Sequence, residues 1–379
     1  MEHKDREYYL DWLRVIVVAL LIPHHAAITF SHLGDAYIYS DHQIPSLYYF
    51  IQSKFLNLWF MRLLFLVSGF SSFYALKKRN FREYLLERVK RLMVPLCFAI
   101  AFICPPTAYL MAIKTYHFEG NIIDFYPEFF KGFVNRYLGW GHLWFLAYLF
   151  VFSLILIVLL KILQNNIAYI EKASRFLSEH ILFPMIVIIF LEVLLRPFFP
   201  GLQNLYSDWA NFSVYLTFFL LGYLFAFRKT STATILKYTR MFGILSLTLT
   251  IVFIYLHHWF FISEKPFPRY GTMLLALIQG SDEYVLVLFF IGMAKRYIHK
   301  RSPLLLYLSR TSFALYLFHY LILSAVIYGL LRTGLHHYVI FVISVLLTYA
   351  IFFILFESVI KRIGILRYVC GIKKATANH

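Results

Sequence analysis

Apolar runs long enough to cross a bilayer recur along almost the whole chain of 379 residues. A spanning helix needs about 20 predominantly apolar residues. Runs of this kind are predicted at 12–32, 55–76, 93–113, 142–163, 181–199, 211–228, 241–262, 271–294, 311–332 and 338–359. The sequence therefore predicts an all-α, polytopic membrane protein with about ten transmembrane helices.

The composition agrees with this fold class, because 61% of the residues are hydrophobic and only 15% are charged, against roughly 25% charged in a soluble domain. The formal net charge is +17, and most of the basic residues lie in segments that alternate runs place on one side. This bias predicts cytoplasmic N- and C-termini and argues against a nucleic acid partner. No repeat or linker divides the chain, so one domain over 1–379 is expected, with a basic cytoplasmic tail at 360–379.

Ionisable residues form a polar stripe in the first apolar run. Arg14 and His25 are eleven residues apart, about 17 Å along a helix and about 20° apart around it, and Asp11, Thr29 and His32 extend the same face. Charged groups are costly in a bilayer core, so the stripe is expected to face protein or a polar cavity and to mark a site. A snorkelling Arg14 and a structural, hydrogen-bonded His25 are the alternatives.

Pro23 favours the interpretation of His25 as part of a site. Proline lacks a backbone donor, so the carbonyl of Ala19 is expected to have no partner within the helix, one turn from the histidine.

Two further patterns lie toward the predicted cytoplasmic side. Arg88 and Arg91 are three apart in a segment of helical pattern, so their guanidinium groups are expected to face the same way and to suit a phosphate; ordinary positive-inside bias is the alternative. Ser68 and Gly69 end the second run, and close helix packing is the favoured role of this small pair.

Other polar residues receive structural interpretations or none. Glu192 is expected to pair with Arg196, and Glu357 with Lys361. Residues 114–141 are expected to form an interfacial or partly re-entrant segment. Three cysteines are too few for a disulfide framework, and no metal site is predicted, including at the histidine doublets 257–258 and 336–337. Roles could not be assigned to three intramembrane charges, Arg62, Asp282 and Glu283.

Several short motifs together resemble the acyltransferase-3 family of membrane acyltransferases over nearly the whole chain. They are Arg14 with His25, Ser68-Gly69-Phe70, Arg88-x-x-Arg91, His142-Leu143-Trp144-Phe145-Leu146 and Tyr316-x-x-His319. Within that family, Arg6 to Asp11 followed by Ile22-Pro23-His24-His25 is most similar to the glucans biosynthesis protein C branch, which is associated with succinylation of periplasmic glucans. Arg62 departs from the family pattern.

The resemblance implies a bacterial inner-membrane enzyme that moves an acyl group, with succinyl favoured, from cytoplasmic acyl-CoA to a hydroxyl of a periplasmic glucan. Acyl-CoA is then a co-substrate, no cofactor is tightly bound, and glucan-synthesis machinery is a possible partner alongside the membrane lipid. His25 is expected to be the general base, with a covalent acyl-histidine as the competing mechanism. Arg14, Arg88 and Arg91 are expected to bind the donor. Supporting roles are expected for Asp11, Ser68, His142, Trp144 and His319.

Two other functions stay open from the sequence. One is O-acetylation of lipopolysaccharide or another surface polysaccharide. The other, from a different class, is transport of a glycan or small anion, in which the intramembrane His and Arg bind cargo or relay protons.

Overall fold

The computed structural model describes residues 7–33, 36–44, 46–131, 139–163, 166–199, 201, 203–262 and 269–372. Its α-helices are α1 Tyr8–Ser31, α2 Leu47–Leu76, α3 Phe81–Arg88, α4 Val94–Phe102, α5 Cys104–Tyr116, α6 Ile122–Phe130, α7 Trp144–Leu163, α8 Ile167–Glu179, α9 Phe183–Leu195, α10 Trp209–Phe227, α11 Lys229–Ile262, α12 Arg269–Tyr297, α13 Pro303–Leu330, α14 His337–Leu355 and α15 Gly364–Val369. Short π-helical segments at Val89–Met93 and Phe356–Ile360 and a 3₁₀ turn at Gly141–Leu143 complete the elements. No strand occurs in these ranges.

Nine helical stretches of the described residues are long and apolar enough to cross a membrane, and α8 with α9 form a tenth candidate that is bent by 94°. The all-α polytopic fold is therefore confirmed. The side on which the termini lie stays a prediction.

The fifth apolar run differs from its predicted form. The sequence predicts a span over 181–199, but α9 has only 13 residues, about 20 Å at 1.5 Å per residue. The chain breaks after Glu179 and turns sharply between α8 and α9, and Pro184 occupies the first turn of α9, a position that proline tolerates because its missing N–H has no partner there anyway.

The third run is longer than predicted. Helical structure is continuous from Phe81 to Tyr116 instead of beginning at residue 93, and it passes through the π-helical segment Val89–Met93. Arg88 and Arg91 consequently lie in this helical stretch, as the helical pattern of their segment predicts.

Contacts between Cα atoms group the chain into two compact units. The first unit comprises Met1–Val17, Lys54–Glu87 and Tyr148–Leu305, and the second comprises Val18–Ser53, Arg88–Ala147 and Leu306–His379. Several helices, including α1, contribute residues to both.

Buried charges pair inside the first unit. Arg62 is 5% exposed and forms an ion pair with Glu283, which is fully buried and also accepts a hydrogen bond from Gln279 at 2.8 Å. Glu192, also fully buried, accepts two hydrogen bonds from Arg196, at 2.6 and 2.7 Å, so that predicted pair is confirmed. The neighbouring Asp282 accepts a hydrogen bond of 2.6 Å from Thr250.

Two glycines bring α2 and α10 into close contact in the same unit. A Cβ atom built on Gly69 would lie 2.0 Å from the carbonyl oxygen of Phe219, and one built on Gly222 would lie 1.9 Å from that of Leu66. Only glycine fits at either position. The packing role predicted for the Ser68-Gly69 pair is thus located at Gly69.

The segment between α5 and α7 contains a short amphipathic helix, α6. Asn121 and Asp124 form a capping box at its start, Phe125 and Phe129 are fully buried, and Ile123 is 78% exposed. An apolar side chain exposed on such a helix is typical of an interfacial segment; residues 132–138, including Arg136 of the predicted segment, lie outside the described ranges. Near the C-terminus, the predicted pair Glu357 with Lys361 is confirmed, and the described part of the tail ends at 372.

Candidate functional site

Three histidines from distant parts of the chain meet in the second unit. His25 lies in α1, His142 in the 3₁₀ turn before α7, and His319 in α13. The ring centroid of His25 is 5.6 Å from that of His319 and 6.5 Å from that of His142, and the latter two rings are 4.8 Å apart. The sequence alone could not bring His25 and His319 together; the structure places them side by side.

The backbone of α13 fixes the protons of two of these rings. His142 Nε2 lies 3.0 Å from the carbonyl oxygen of Tyr316, and His319 Nδ1 lies 2.9 Å from the same oxygen and 3.0 Å from that of Leu315. A carbonyl oxygen only accepts hydrogen bonds, so both nitrogens must carry a proton. In the neutral rings, the opposite nitrogens, His142 Nδ1 and His319 Nε2, are then hydrogen-bond acceptors.

Those acceptor nitrogens are buried and have no hydrogen-bond partner among the described residues. Buried polar atoms are usually satisfied, so unpaired acceptors in a polar cluster indicate a place for a donor group from outside the protein. The hydroxyl group of a substrate is one such donor.

One ring nitrogen of His25 is not fully buried. The Nδ1 of this ring is buried without a partner in the described structure, whereas its Nε2, which also makes no hydrogen bond there, is not among the fully buried atoms. Tyr320 packs on the imidazole with ring centroids 4.3 Å apart. The ring is thus held by stacking, while one nitrogen stays open to a reactant.

The loop 36–44 between α1 and α2 covers part of this cluster. Tyr37 donates its backbone N–H to the hydroxyl of Tyr320 at 3.2 Å, and its ring lies against Gly141. Gly141 has φ +46°, and a Cβ there would lie 2.7 Å from the Tyr37 hydroxyl oxygen, so both backbone conformation and space require glycine beside His142.

Polar contacts anchor the same loop. Lys114 of α5 contacts Asp41 at 2.6 Å and lowers the pKa of this carboxyl group. His32 bonds through Nε2 to the carbonyl oxygen of Ser40 at 3.1 Å, and burial lowers its pKa, which favours the neutral ring at neutral pH. His32 is not part of the helical stripe as predicted, because α1 ends at Ser31 and His32 adopts a left-handed conformation with φ 54°.

Pro23 has the predicted effect on α1. The carbonyl oxygen of Ala19, deprived of its helical partner, accepts a hydrogen bond of 2.7 Å from the hydroxyl of Tyr349 in α14. The carbonyl oxygen of Pro23 accepts one of 2.8 Å from Gln52 of α2. Side chains of two other helices therefore hold α1 one turn before His25.

Arg14 lies at the other end of α1, in the first unit. Its guanidinium donates to the hydroxyl of Ser71 at 3.0 Å and contacts Asp11 at 3.4 Å. The Asp11 carboxylate is in place to orient Arg14, as the sequence suggested. The side chain of Arg14 is 36% exposed, so part of it is accessible to a ligand.

Arg88 and Arg91 do not have the simple α-helical spacing expected. Arg88 ends α3, and Arg91 lies within the π-helical segment Val89–Met93, in which hydrogen bonds run from i to i+5 and widen the turn. Arg88 is half-buried and Arg91 is exposed, so the pair does not present one uniform face.

The remaining predicted residues have packing positions. Ser68 is half-buried and its carbonyl accepts a hydrogen bond from Ser72. Trp144 begins α7 and is 5% exposed. Sequence reasoning missed Tyr37 and Tyr320; the length of the first outer loop and the position of Tyr320 next to His319 were the available signals.

Metal ligation finds no support in the described ranges, where no group of three or more His, Cys, Asp or Glu residues could hold a metal ion. The cluster instead offers imidazole nitrogens that can accept or relay a proton.

Comparisons with known proteins agree with the motifs. The acyltransferase-3 family model, described as an acyltransferase domain, matches residues 7–357. The chain is similar to glucans biosynthesis protein C of Escherichia coli strain SMS-3-5 / SECEC, with 27% identity over 240 residues covering 58% of each chain. The protein of the same name from Shigella dysenteriae serotype 1 (strain Sd197) is 27% identical over 244 residues and 58% of each chain.

A third similar relative is glucans biosynthesis protein C of Escherichia coli O17:K52:H18 (strain UMN026 / ExPEC), 26% identical over 253 residues and 61% of each chain. The matches thus span about three fifths of the length of these curated relatives. No solved structure matches the chain significantly.

Proposed function

The chain belongs to the acyltransferase-3 family of membrane acyltransferases, and from this premise we propose that it moves an acyl group from cytoplasmic acyl-CoA to a hydroxyl of a periplasmic glucan. Succinyl is the favoured group, and the bacterial inner membrane is the proposed location. The names of the relatives support a glucan acceptor.

The observation that carries the proposal is the cluster of His25, His142 and His319. It combines one imidazole whose Nε2 is accessible with two buried nitrogens that are acceptors without protein partners. Such a site suits a hydroxyl substrate, which must be both bound and deprotonated. A packing role for these histidines would not need three unpaired nitrogens.

In the proposed reaction, His25 Nε2 accepts the proton of the sugar hydroxyl, and the hydroxyl oxygen attacks the carbonyl carbon of the thioester. The new C–O bond forms, the C–S bond breaks, and CoA leaves as a thiolate that recovers the proton from the imidazolium. Positioned proton transfer of this kind contributes typically about 10² to 10⁴-fold to rate. His142 and His319 accept hydrogen bonds from the acceptor sugar.

Arginines are proposed to bind the donor. Arg14, which Asp11 and Ser71 orient, and the Arg88 and Arg91 pair supply guanidinium groups that recognise phosphates of CoA. The CoA ester is consumed as a co-substrate, so no tightly bound cofactor is required. Glucan-synthesis machinery is the natural source of the acceptor.

Release of free CoA tests the proposal. Purified protein is supplied with succinyl-CoA or acetyl-CoA and a linear β-glucan, and His25→Gln is compared with His24→Gln, a matched control that removes the neighbouring imidazole of the same turn. We expect wild type and His24→Gln to release CoA and label the glucan, and His25→Gln to lose this activity.

The outcomes separate the alternatives. Wild-type activity in a folded His25→Gln protein would show that His25 takes no part in the mechanism. Preference for acetyl-CoA would make acetyl the transferred group, and in a parallel assay with added lipopolysaccharide, labelling of it but not of the glucan would change the acceptor. Absence of turnover combined with glycan flux across vesicles favours transport.

A covalent acyl-histidine is the competing mechanism. Incubation with radiolabelled acyl-CoA and no acceptor distinguishes the two. Direct transfer predicts no acid-precipitable label on the protein, whereas label that depends on His25 and is discharged by added glucan establishes the covalent route.

A further inference from the structure

A cavity of about 410 Å³ opens in the first unit where the end of α2 meets α7, α8 and α10. Its volume lies in the range of about 300–1,000 Å³ that is common for small-molecule sites. The walls are mainly aromatic and aliphatic and include Phe73, Leu160 and Phe227. None of the residues assigned above to catalysis or donor binding lines it.

The polar lining residues include Lys77, Asn80 and Tyr223, and each has a polar group that is available to a ligand. Lys77 is exposed, and its ammonium forms no ion pair in the described structure. The hydroxyl of Tyr223 makes no hydrogen bond there and is not among the fully buried atoms. Asn80 uses its side-chain oxygen to cap α3, accepting from the Glu83 amide at 2.9 Å, which leaves its amide nitrogen to donate.

The cavity therefore offers one cation and two neutral donors above a carbon-lined interior. Arg79 adds a second basic group at the rim, although Glu87, 3.2 Å away, balances part of its charge. This set matches a ligand with a negatively charged, oxygen-rich head and an apolar tail.

The orientation and amphipathic character of α8 indicate the depth of the cavity in the bilayer. It turns by 94° from α9 and is amphipathic: Ile170, which lines the cavity, is buried, while Lys172 and Arg175 on its other side are exposed. An amphipathic helix turned away from an apolar helix in this way suits a position along the interface, at the depth of phospholipid headgroups. Lys77 also ends a spanning helix on the predicted cytoplasmic side, where the leaflet carries anionic lipids.

We propose that this cavity binds an anionic phospholipid. Its phosphate contacts the Lys77 ammonium and accepts a hydrogen bond from the Tyr223 hydroxyl, and one acyl chain lies along Phe73, Leu160 and Phe227. Basic pockets between membrane helices on the cytoplasmic side recognise lipid headgroups in this way. The cavity residues take no part in the proposed acyl transfer, so the proposal of a lipid site can be tested independently of the proposed function.

Native mass spectrometry of the full-length protein tests the proposal. Detergent-purified wild type, Lys77→Gln and Lys78→Gln are titrated with dioleoylphosphatidylglycerol or dioleoylphosphatidylcholine, and retained lipid is counted. Lys78 is the matched control because it is adjacent and also exposed but does not line the cavity. We expect wild type and Lys78→Gln to retain phosphatidylglycerol preferentially, and Lys77→Gln to lose about fivefold in retention, the effect of one lysine near an anionic headgroup.

A second variant tests the hydroxyl. Tyr223→Phe keeps the ring and removes only the donor, so it is expected to reduce retention of both lipids, since both carry a phosphate. Equal loss in Lys77→Gln and Lys78→Gln, or unchanged retention in Lys77→Gln and Tyr223→Phe, overturns the proposal. Displacement of bound phosphatidylglycerol by free CoA also overturns it and assigns the cavity to the nucleotide of the donor.

Discussion

Main-chain carbonyl oxygens determine which ring nitrogens of His142 and His319 carry a proton. The carbonyl oxygen of Tyr316 accepts hydrogen bonds from the ring N–H groups of both His142 and His319, and this leaves the opposite nitrogens as acceptors. The hydroxyl of Tyr316 in turn donates to the carbonyl oxygen of His142 at 2.8 Å. These reciprocal bonds lock the 3₁₀ turn to α13 and set both tautomers.

Asparagine and glutamine substitutions remove the acceptor nitrogens of these histidines while keeping their hydrogen bonds to the Tyr316 carbonyl oxygen. His319→Asn keeps a donor near Nδ1 and His142→Gln keeps one near Nε2, while each removes the other nitrogen. We expect both proteins to fold, with kcat/KM for the acceptor lower by about tenfold because a hydrogen bond to the substrate is lost.

Thermal unfolding checks that the fold is kept. Unchanged acceptor kinetics in both folded variants would show that these nitrogens do not contact substrate.

Arg14 provides a second residue-scale prediction. Arg14→Lys keeps the positive charge but removes the planar fork that can bond Ser71 and a phosphate together. We expect a higher KM for the acyl donor with little change in kcat, because uniform binding is lost. Steady-state kinetics at saturating glucan measure this, and an unchanged KM would leave Arg14 with a topological role.

The sequence predicted part of this residue-scale picture. The depth of His25 and the orphan carbonyl created by Pro23 follow from helix geometry alone, and the structure supplies Tyr349 as the missing donor. The stacking of Tyr320 on His25 could not be predicted, because it depends on how α1 and α13 pack, and periodicity carries no information about the partner of a helix.

At the scale of elements, backbone irregularities decide where side chains lie. The π-helical segment Val89–Met93, which contains Arg91, alters a spacing that was reasoned from 3.6 residues per turn, and the break between α8 and α9 turns a predicted span into a bent pair. Neither has a reliable sequence signal. The close approach at Gly69, by contrast, was predicted, because a pair of small residues in an apolar helix is a recognisable packing motif.

Alanine substitution tests that close approach. Gly69→Ala places a methyl group against the Phe219 carbonyl, and overpacking typically costs about 1–3 kcal/mol, so a lower unfolding temperature is expected. Gly329→Ala is the matched control, since this glycine of α13 has nothing within 4 Å of a Cβ and alanine favours a helix. Equal unfolding temperatures for the two variants would contradict the tight contact.

At the scale of the whole molecule, buried charge is balanced inside the first unit. Arg62 and Glu283 are 221 positions apart in sequence, so no local pattern could have paired them, and the sequence left both without a role. Glu192 and Arg196, four apart, were paired correctly because their spacing is local.

Breaking the long-range pair is expected to be costly. Arg62→Met leaves the Glu283 carboxylate buried without its cation, a change worth about 3–5 kcal/mol in destabilisation. The double variant Arg62→Met with Glu283→Gln removes both charges and should recover most of that loss. Unfolding temperatures in detergent measure both, and a double variant no more stable than Arg62→Met would contradict the charge-pair explanation.

The locking of both histidines to the carbonyl of Tyr316 has an evolutionary consequence. Main-chain oxygens are present whatever the side chain, so substitutions along α13 leave the acceptor of both protons in place. An insertion or deletion between 316 and 319 would instead rotate His319 away from that oxygen. Among diverged homologues we therefore expect free drift in residue identity at 317 and 318 and strict preservation of the spacing between 316 and 319.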